Sequence, residues 1–279
     1  MLTASESPSA PLHASLRRLV FVPLAWIVLL FVFATLLPHD ARPLFFRLEL
    51  AASELLGFVG CVIAATAFER GDYLRRAWSY TALCFVLIWL SDLSRFPELE
   101  PLVGNDLARG VVSLIGNIVA ILGAWRFGRA WSEADLPDAD RTRKRVYIVA
   151  AIVALLMAGG PLVNDVEAVV FGDTAALVNV ASELGDIGSL CVMAPILPVA
   201  FALRGGHLAW PWSLLSASLI AWLAFDGAVA LAGGAYMTDL PQRLFVEVFR
   251  ALGCLLTLAA GIAQRRVIRL TREATQSQL

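Results

Sequence analysis

Lysine is almost missing from this chain. Of 22 cationic residues only Lys144 is a lysine, and the rest are arginine. Lys144 sits in a polar stretch, so no apolar segment offers an amine for a retinal Schiff base. Histidine is nearly as scarce: His13, His39 and His207 all lie outside the apolar runs. Haem held between helices by paired axial histidines is therefore not expected. Cysteine is limited to Cys61, Cys84, Cys191 and Cys254, single residues in four different runs. With no C-x-x-C and no Cys/His ligand spacing, they read as small buried hydrophobes rather than metal ligands. No phosphate-binding Gly-rich loop, nucleophile elbow, H-E-x-x-H or basic nucleic-acid arm occurs. No cofactor, no metal and no nucleic-acid partner are expected. An enzyme working in the membrane with carboxylates alone has no pattern behind it.

Charge itself is thin. Charged residues make up 16% of the chain and hydrophobic ones 59%, with a mean hydropathy of +0.74. Soluble domains carry about 25% charged residues. One soluble core cannot hide this much apolar surface, so lipid bilayer is the expected solvent. Crossing a ~30 Å hydrocarbon core takes about 20 residues. Eight segments suffice: 19–38, 50–68, 77–95, 110–128, 146–163, 184–203, 209–231 and 244–263. The first follows Arg17 and Arg18, as a signal peptide would, but its apolar part exceeds the roughly 7–15 residues of a cleavable one. The 164–182 connection holds Asp165, Glu167 and Asp173 and reads as a short amphipathic or re-entrant piece.

Orientation follows from the loops. With the N-terminus cytoplasmic, sixteen of the 22 cations fall on the cytoplasmic side and five on the other. The five are Arg42, Arg47, Arg95, Arg109 and Arg243, and Arg250 lies within a span. Both termini are then cytoplasmic, which requires an even number of spans.

A repeat is written into the order of matches. Ala52-Ser53-Glu54-Leu55 recurs as Ala181-Ser182-Glu183-Leu184. Trp78-Ser79 recurs as Trp212-Ser213, Asp92 as Asp226 and Arg109 as Arg243, all at one spacing. The spacing slips by four residues in the span holding Pro195 and Pro198, whose missing donors favour a kink. The expected fold class is an all-α membrane protein of eight transmembrane helices, built as two tandem four-helix halves. The parts are a disordered cytoplasmic N-terminus over 1–18, halves over 19–132 and 146–264, a cytoplasmic linker over 133–145 and a helical tail over 265–279. Four crossings return the chain to its starting side, so the halves share one orientation and a pseudo-twofold along the membrane normal.

Depth then separates the polar residues, at 1.5 Å per residue. Glu54, Glu183, Asp186 and Glu247 fall within one or two turns of the outer boundary, and Asp92 and Asp226 arrive near the same end. Asn117 and Arg250 lie deeper, on the order of 10 Å in. The inner half is apolar, bordered by Arg and by Trp78, Trp125, Trp131, Trp210 and Trp212. Carboxylates facing lipid cost several kcal/mol each. Six of them should converge on a protein interior, and these eight polar residues are the expected ligand-binding set. Two readings of Arg250 stand side by side. Glu247, three residues earlier, shares its helix face and can simply neutralise it. Alternatively Arg250 anchors a ligand carboxylate or bridges to Asp226 or Asp92. The acids near helix ends can also just reach headgroups. Trp89 and Trp222 read as core packing before they read as a ligand platform.

The Trp-Ser…Asp pattern (Trp78, Ser79, Asp92; Trp212, Ser213, Asp226) and the Arg-rich helix after the last span (Arg265, Arg266, Arg269, Arg272) carry a resemblance. The chain resembles the multi-span membrane sensor modules of bacterial histidine kinases and diguanylate cyclases. That resemblance implies a bacterial cytoplasmic (inner) membrane and an outer or membrane stimulus passed down the last helix. The departure is that no kinase or cyclase domain follows, so either output would run through a cytoplasmic protein partner or the chain would be a stand-alone relative. A second stretch, Ser91 to Pro97 ("SDLSRFP"), resembles the D-L-x-R-P step of quinone-interacting subunits of membrane complexes, with Phe96 interrupting Arg-Pro. Three functions follow as expectations: a receptor-like module binding a small ligand in an outward acidic vestibule, a transporter of a small molecule or ion, and a quinone-interacting subunit.

Overall fold

The computed structural model describes residues 15–93, 96, 106–132, 139–173, 176–193, 207, 209–233, 236 and 238–276. The N-terminal stretch, most of the 97–105 loop, Arg95, residues 133–138 of the linker, and the segment holding Pro195 and Pro198 lie outside the described residues.

Among the described residues the principal elements are all helices: α1 (Phe21–Leu36), α2 (Arg42–Ala67), α3 (Tyr73–Asp92), α4 (Asp106–Ser132), α5 (Ala139–Val170), α6 (Ala176–Met193), α7 (Ala209–Ala232) and α8 (Leu240–Gln276). Local signals set several boundaries. Pro43 opens α2, where its missing N–H costs nothing. Gly71, at φ 98°, turns the chain into α3, and Asp72 caps that helix by accepting from the Leu74 amide at 2.8 Å.

α5 runs further than its acids suggested. The stretch 164–170 is not a separate piece but the last turns of α5, with Glu167 exposed and Asp165 half-exposed. The stop is Gly172, again at φ 98°. There the Asp173 amide donates to Ala168 and the Gly172 amide to Val169, which closes the helix in a Schellman arrangement. Between 144–156 and 159–170 the axis bends by 53°. Pro161 lies inside the helix and removes the bond to residue 157, where the bend falls.

Five helices are long and apolar enough to cross a membrane: Ser15–Leu36, Arg42–Ala67, Ala108–Arg129, Ala209–Val229 and Leu240–Glu273. Counting bent α5 as one span makes six. Their outer faces carry large exposed apolar side chains, among them Phe21, Val28, Leu156, Val170 and Phe171. A water-soluble surface rarely leaves such area contiguous, and lipid covers it without cost.

α8 is the central element. Its apolar window is 61% buried, against 22% for the window that includes α1. It packs on α7, α2 and α1, while α4 packs on α3 and α6. Two of these pairs are parallel, and α2/α8 keeps one register along its length. In α2/α8, Glu49 meets Arg250 and Gly60 meets Gly261, eleven residues further along both helices. In α4/α6, Asn117 meets Gly185, Ile121 meets Gly188 and Gly128 meets Val192. The α2/α8 crossing is close enough that a methyl group on Gly261 would overlap the Gly60 carbonyl, and one on Gly60 the Leu258 backbone. Small residues at the crossing let two backbones touch where lipid supplies no hydrophobic drive. The middle of the bundle is aromatic. Phe127 sits between Trp78 and Trp212, edge-on to both, with ring centroids 5.2 and 5.5 Å apart and interplanar angles of 78° in each case.

Gly261→Ala should therefore destabilise the protein by about 1–3 kcal/mol, the usual range for overpacking. Gly159→Ala, with nothing within 4 Å of the added carbon, should leave it unchanged or slightly more stable. Unfolding by SDS titration of the purified protein measures both. Equal stability of the two variants would refute the close crossing.

Candidate functional site

Arg250 lies on α8 and is 2% exposed. A guanidinium keeps its proton under all ordinary conditions, so burial demands counter-charges. Two are supplied. Nη2 of Arg250 donates to Glu49 Oε2 of α2 at 3.1 Å. The same nitrogen pairs with Glu247 Oε2, one helical turn before it on α8. Each acid is itself held. Trp26 Nε1 of α1 donates to Glu49 Oε1 at 3.0 Å. The Tyr236 hydroxyl, from the chain entering α8, donates to Glu247 Oε1 at 3.0 Å. Arg243 adds its Nε at 4.0 Å from Glu247 and lies 4.2 Å over the Phe46 ring. One buried cation thus ties α1, α2, α8 and the α7–α8 connection together.

The intrahelical pair Glu247–Arg250 was legible as an i, i+3 spacing. Glu49 was not among the expected residues. Hydropathy starts the second span at 50, whereas the helix starts at Arg42 and places Glu49 two turns inside it. Pro43 was the available signal, because a proline in the first helical turn marks a helix start.

Beside this cluster lies a cavity of about 370 Å3. Five of the eight expected polar residues line it: Glu54 of α2, Asp92 of α3, Asn117 of α4, Asp226 of α7 and Arg250 of α8. Glu54 is fully buried, and Asp92, Asn117 and Asp226 are half-buried. The wall also includes Arg109, which loop counting had assigned to the non-cytoplasmic side, and the hydroxyls of Ser113, Ser218 and Thr257. Ser218 Oγ donates to the Gly253 carbonyl at 2.6 Å and lies 2.7 Å from Thr257 Oγ1. Asn117 Nδ2 donates to the Ala181 carbonyl at 3.0 Å, which ties α4 to α6. Phe85, Trp222 and Phe225 form an aromatic side, so Trp222 is both packed and cavity-lining.

The remaining expected residues fall outside the wall. Glu247 backs Arg250. Glu183 is half-buried on α6. Asp186 lies on α6, but its side chain is outside the described residues. The polar wall reaches down to Thr81, Ala120, Leu215 and Thr257. One turn further along α3 and α7 come Trp78 and Trp212, closed over Phe127. The cavity is polar at the Asp92–Arg109–Asp226 end, and the packed rings Trp78, Phe127 and Trp212 lie beyond its other end. Among the described residues no group of three His, Cys, Asp or Glu is placed to hold a metal ion.

The energetics of the triad are those of a buried ion pair. Removing one partner strands the others and costs about 3–5 kcal/mol. Arg250→Ala and Glu49→Ala should each lose stability on that scale. The double variant should lose less than the two together, by a coupling of roughly 1–3 kcal/mol. Asp173→Asn, at the exposed end of α5, should change stability by less than about 0.5 kcal/mol. A double-mutant cycle in SDS unfolding reads these values, and strict additivity of Glu49 and Arg250 would show that they do not interact.

Comparison with known proteins found no matching protein family, no matching curated protein and no matching solved structure.

Proposed function

We propose that this chain is a receptor-like module of a bacterial cytoplasmic membrane that binds a small ligand in an outward-facing acidic vestibule. In this reading eight transmembrane helices form two tandem four-helix halves, with both termini cytoplasmic. The observation that carries it is the single cavity lined by Glu54, Asp92, Asn117, Asp226 and Arg250. These residues come from both halves, and ordinary lipid-facing helices would not bring them together.

Packing supports the two halves. α2 lies on α8 as α6 lies on α4, and α3 lies on α4 as α7 lies on α8. The tryptophans at equivalent repeat positions, Trp78 and Trp212, are both buried and flank the same ring at the same angle. Parallel α2 and α8 agree with an even number of crossings after α2. The arginine asymmetry supports the orientation.

Binding is favoured over transport by the floor. A translocation path needs polar groups beyond the site, and among the described residues the buried rings Trp78, Phe127 and Trp212 lie there instead. A route for the signal is also present. α8 carries Arg250 and is one 37-residue helix, Leu240–Gln276, whose last turns hold Arg265, Arg266, Arg269 and Arg272. One rigid helix thus joins the cavity wall to the basic end, as the resemblance to sensor modules implies. A cytoplasmic protein partner would dock there.

Cysteine accessibility tests the reading. In a background without Cys61, Cys84, Cys191 and Cys254, Ser113→Cys lines the cavity and Ser213→Cys is exposed near the other end. In right-side-out vesicles a membrane-impermeant maleimide should label Ser113→Cys and should reach Ser213→Cys only after permeabilisation. The reverse pattern would overturn the orientation. Sustained solute flux in proteoliposomes would replace the receptor with a transporter, and a bound quinone in the purified protein would favour a quinone-interacting subunit.

A further inference from the structure

Away from the polar end of the cavity, where α3 begins and α4 ends, two arginines are left without a counter-charge. Arg126 of α4 is half-buried. Its guanidinium lies 5.1 Å from the ring centroid of Tyr73 and 5.3 Å from that of Tyr80, both on α3. Gly123, three residues earlier, keeps the reach short by packing on the Ala77–Thr81 turn of α3. Ring faces attract a guanidinium without using its N–H groups. Those groups reach the surface, unlike the sealed donors of Arg250. Among the described residues no carboxylate pairs with Arg126. The acids before α3 stand elsewhere: Asp72 accepts from the Leu74 amide, and Glu69 lies 3.9 Å from Arg272. Arg76 is exposed on the same side of α3 as Tyr73 and Tyr80, three and four residues from them. It too has no described carboxylate. Arg250 finds its counter-charges inside the protein, whereas these two cations face outward for theirs.

The neighbouring surface says what kind of anion fits. Val111, Ile115, Ile118, Leu122 and Trp125 follow one another along α4 at steps of four and three residues, and all are exposed. They form one apolar stripe that ends at Trp125, beside Arg126. A soluble anion has no use for such a stripe. A lipid lays its chains on it and brings its phosphate to the arginines, with Trp125 at headgroup level. Charge selects the headgroup. A zwitterionic one carries a cation of its own toward two arginines, and an anionic one does not.

We infer that the α3/α4 end holds one anionic phospholipid, its phosphate taken by Arg126 and Arg76 and its chains lying on the apolar stripe of α4. Tyr73 and Tyr80 hold the Arg126 fork in place, so little freedom is lost when it meets two phosphate oxygens. In the orientation proposed above this lipid belongs to the cytoplasmic leaflet. The site itself depends neither on that orientation nor on the cavity being a vestibule.

Native mass spectrometry of the full chain in detergent, titrated with phosphatidylglycerol or phosphatidylcholine, tests this. The first phosphatidylglycerol should bind roughly thirtyfold more tightly than the first phosphatidylcholine, the effect of two cations at a headgroup. Arg126→Gln and Arg76→Gln should each lower that preference about fivefold. Should Arg126→Gln fail to fold, Arg76→Gln, at an exposed position, reads the same preference. Arg17→Gln with Arg18→Gln, exposed cations at the same end of the bundle, should leave it unchanged. Millimolar glycerol phosphate should not displace the lipid. Equal binding of the two lipids would overturn the inference. So would an equal loss in the Arg17/Arg18 variant, which would reduce the effect to diffuse charge. Displacement by glycerol phosphate would make the ligand a soluble anion. Binding that appears only after Glu133→Gln and Asp135→Asn would assign Arg126 to the chain's own acidic linker.

Discussion

A guanidinium that cannot lose its proton is buried in the middle of this bundle, and much of the architecture answers to it. Arg250 needs counter-charges, and they arrive from two directions, Glu49 across the α2/α8 interface and Glu247 along its own helix. Each carboxylate must in turn be oriented, which recruits Trp26 and Tyr236. In water such a pair would be worth little; at this burial the cost of breaking it fixes the register of α2 against α8. Eleven residues further along both helices, about three turns, the same register brings Gly60 onto Gly261. The polar contact and the backbone contact are therefore one constraint expressed at two depths. A slip of one turn would unpair Arg250 and drive side chains into the close crossing together.

What could be seen in the sequence was whatever depends on one helix at a time. Apolar length located the helices, and the spacing of Glu247 and Arg250 announced a pair on one face. The entry of acids at one end of several segments pointed to a shared interior, and Glu54, Asp92, Asn117 and Asp226 do share a cavity. What could not be seen depends on how helices meet. Glu49 and Arg250 are 201 residues apart, and no spacing rule connects them. Hydropathy also misled at helix ends. It cut α2 at 50 because Arg47 and Glu49 are charged, although Pro43 marked the real start. It broke the chain at Asp165 and Glu167, although acids on the exposed side of a helix do not end it. Gly172 ends it, because only its positive φ allows the closing bonds. Arg109 was counted only as a cation of the non-cytoplasmic side, and its place in the cavity wall was not foreseen.

The cavity owes its shape to a division of labour along the helices. Toward one end the facing positions are Asp92, Arg109, Asn117 and Asp226. Below them come Trp78, Phe127 and Trp212, which fill the centre where a polar path would have to continue. Large rings are a sound floor. Their edge-on packing brings three large apolar rings together in the buried core. Ser218 and Thr257 mark the boundary, since their hydroxyls are spent on the Gly253 carbonyl and on each other. Polar groups at the bottom of the cavity are thus satisfied from within, and those higher up face the space.

The two-half arrangement we propose also explains why the charged site is lopsided. The floor is built from equivalent positions, with Trp78 and Trp212 meeting one ring from either side. The charged cluster is not. At the repeat spacing that relates Asp92 to Asp226, the counterpart of Arg250 is Gly116 and that of Glu247 is Ser113. The spacing that relates Glu54 to Glu183 places Val178 opposite Glu49. Duplicating the triad would have put a second buried cation and two more carboxylates around one small space, and their desolvation would outweigh their attraction. Keeping a single copy leaves the ground equivalent to Arg250 and Glu247 to a glycine and a serine, and Ser113 lines the cavity. In the proposed arrangement, symmetry supplies the scaffold and its local departure supplies a single charged pole.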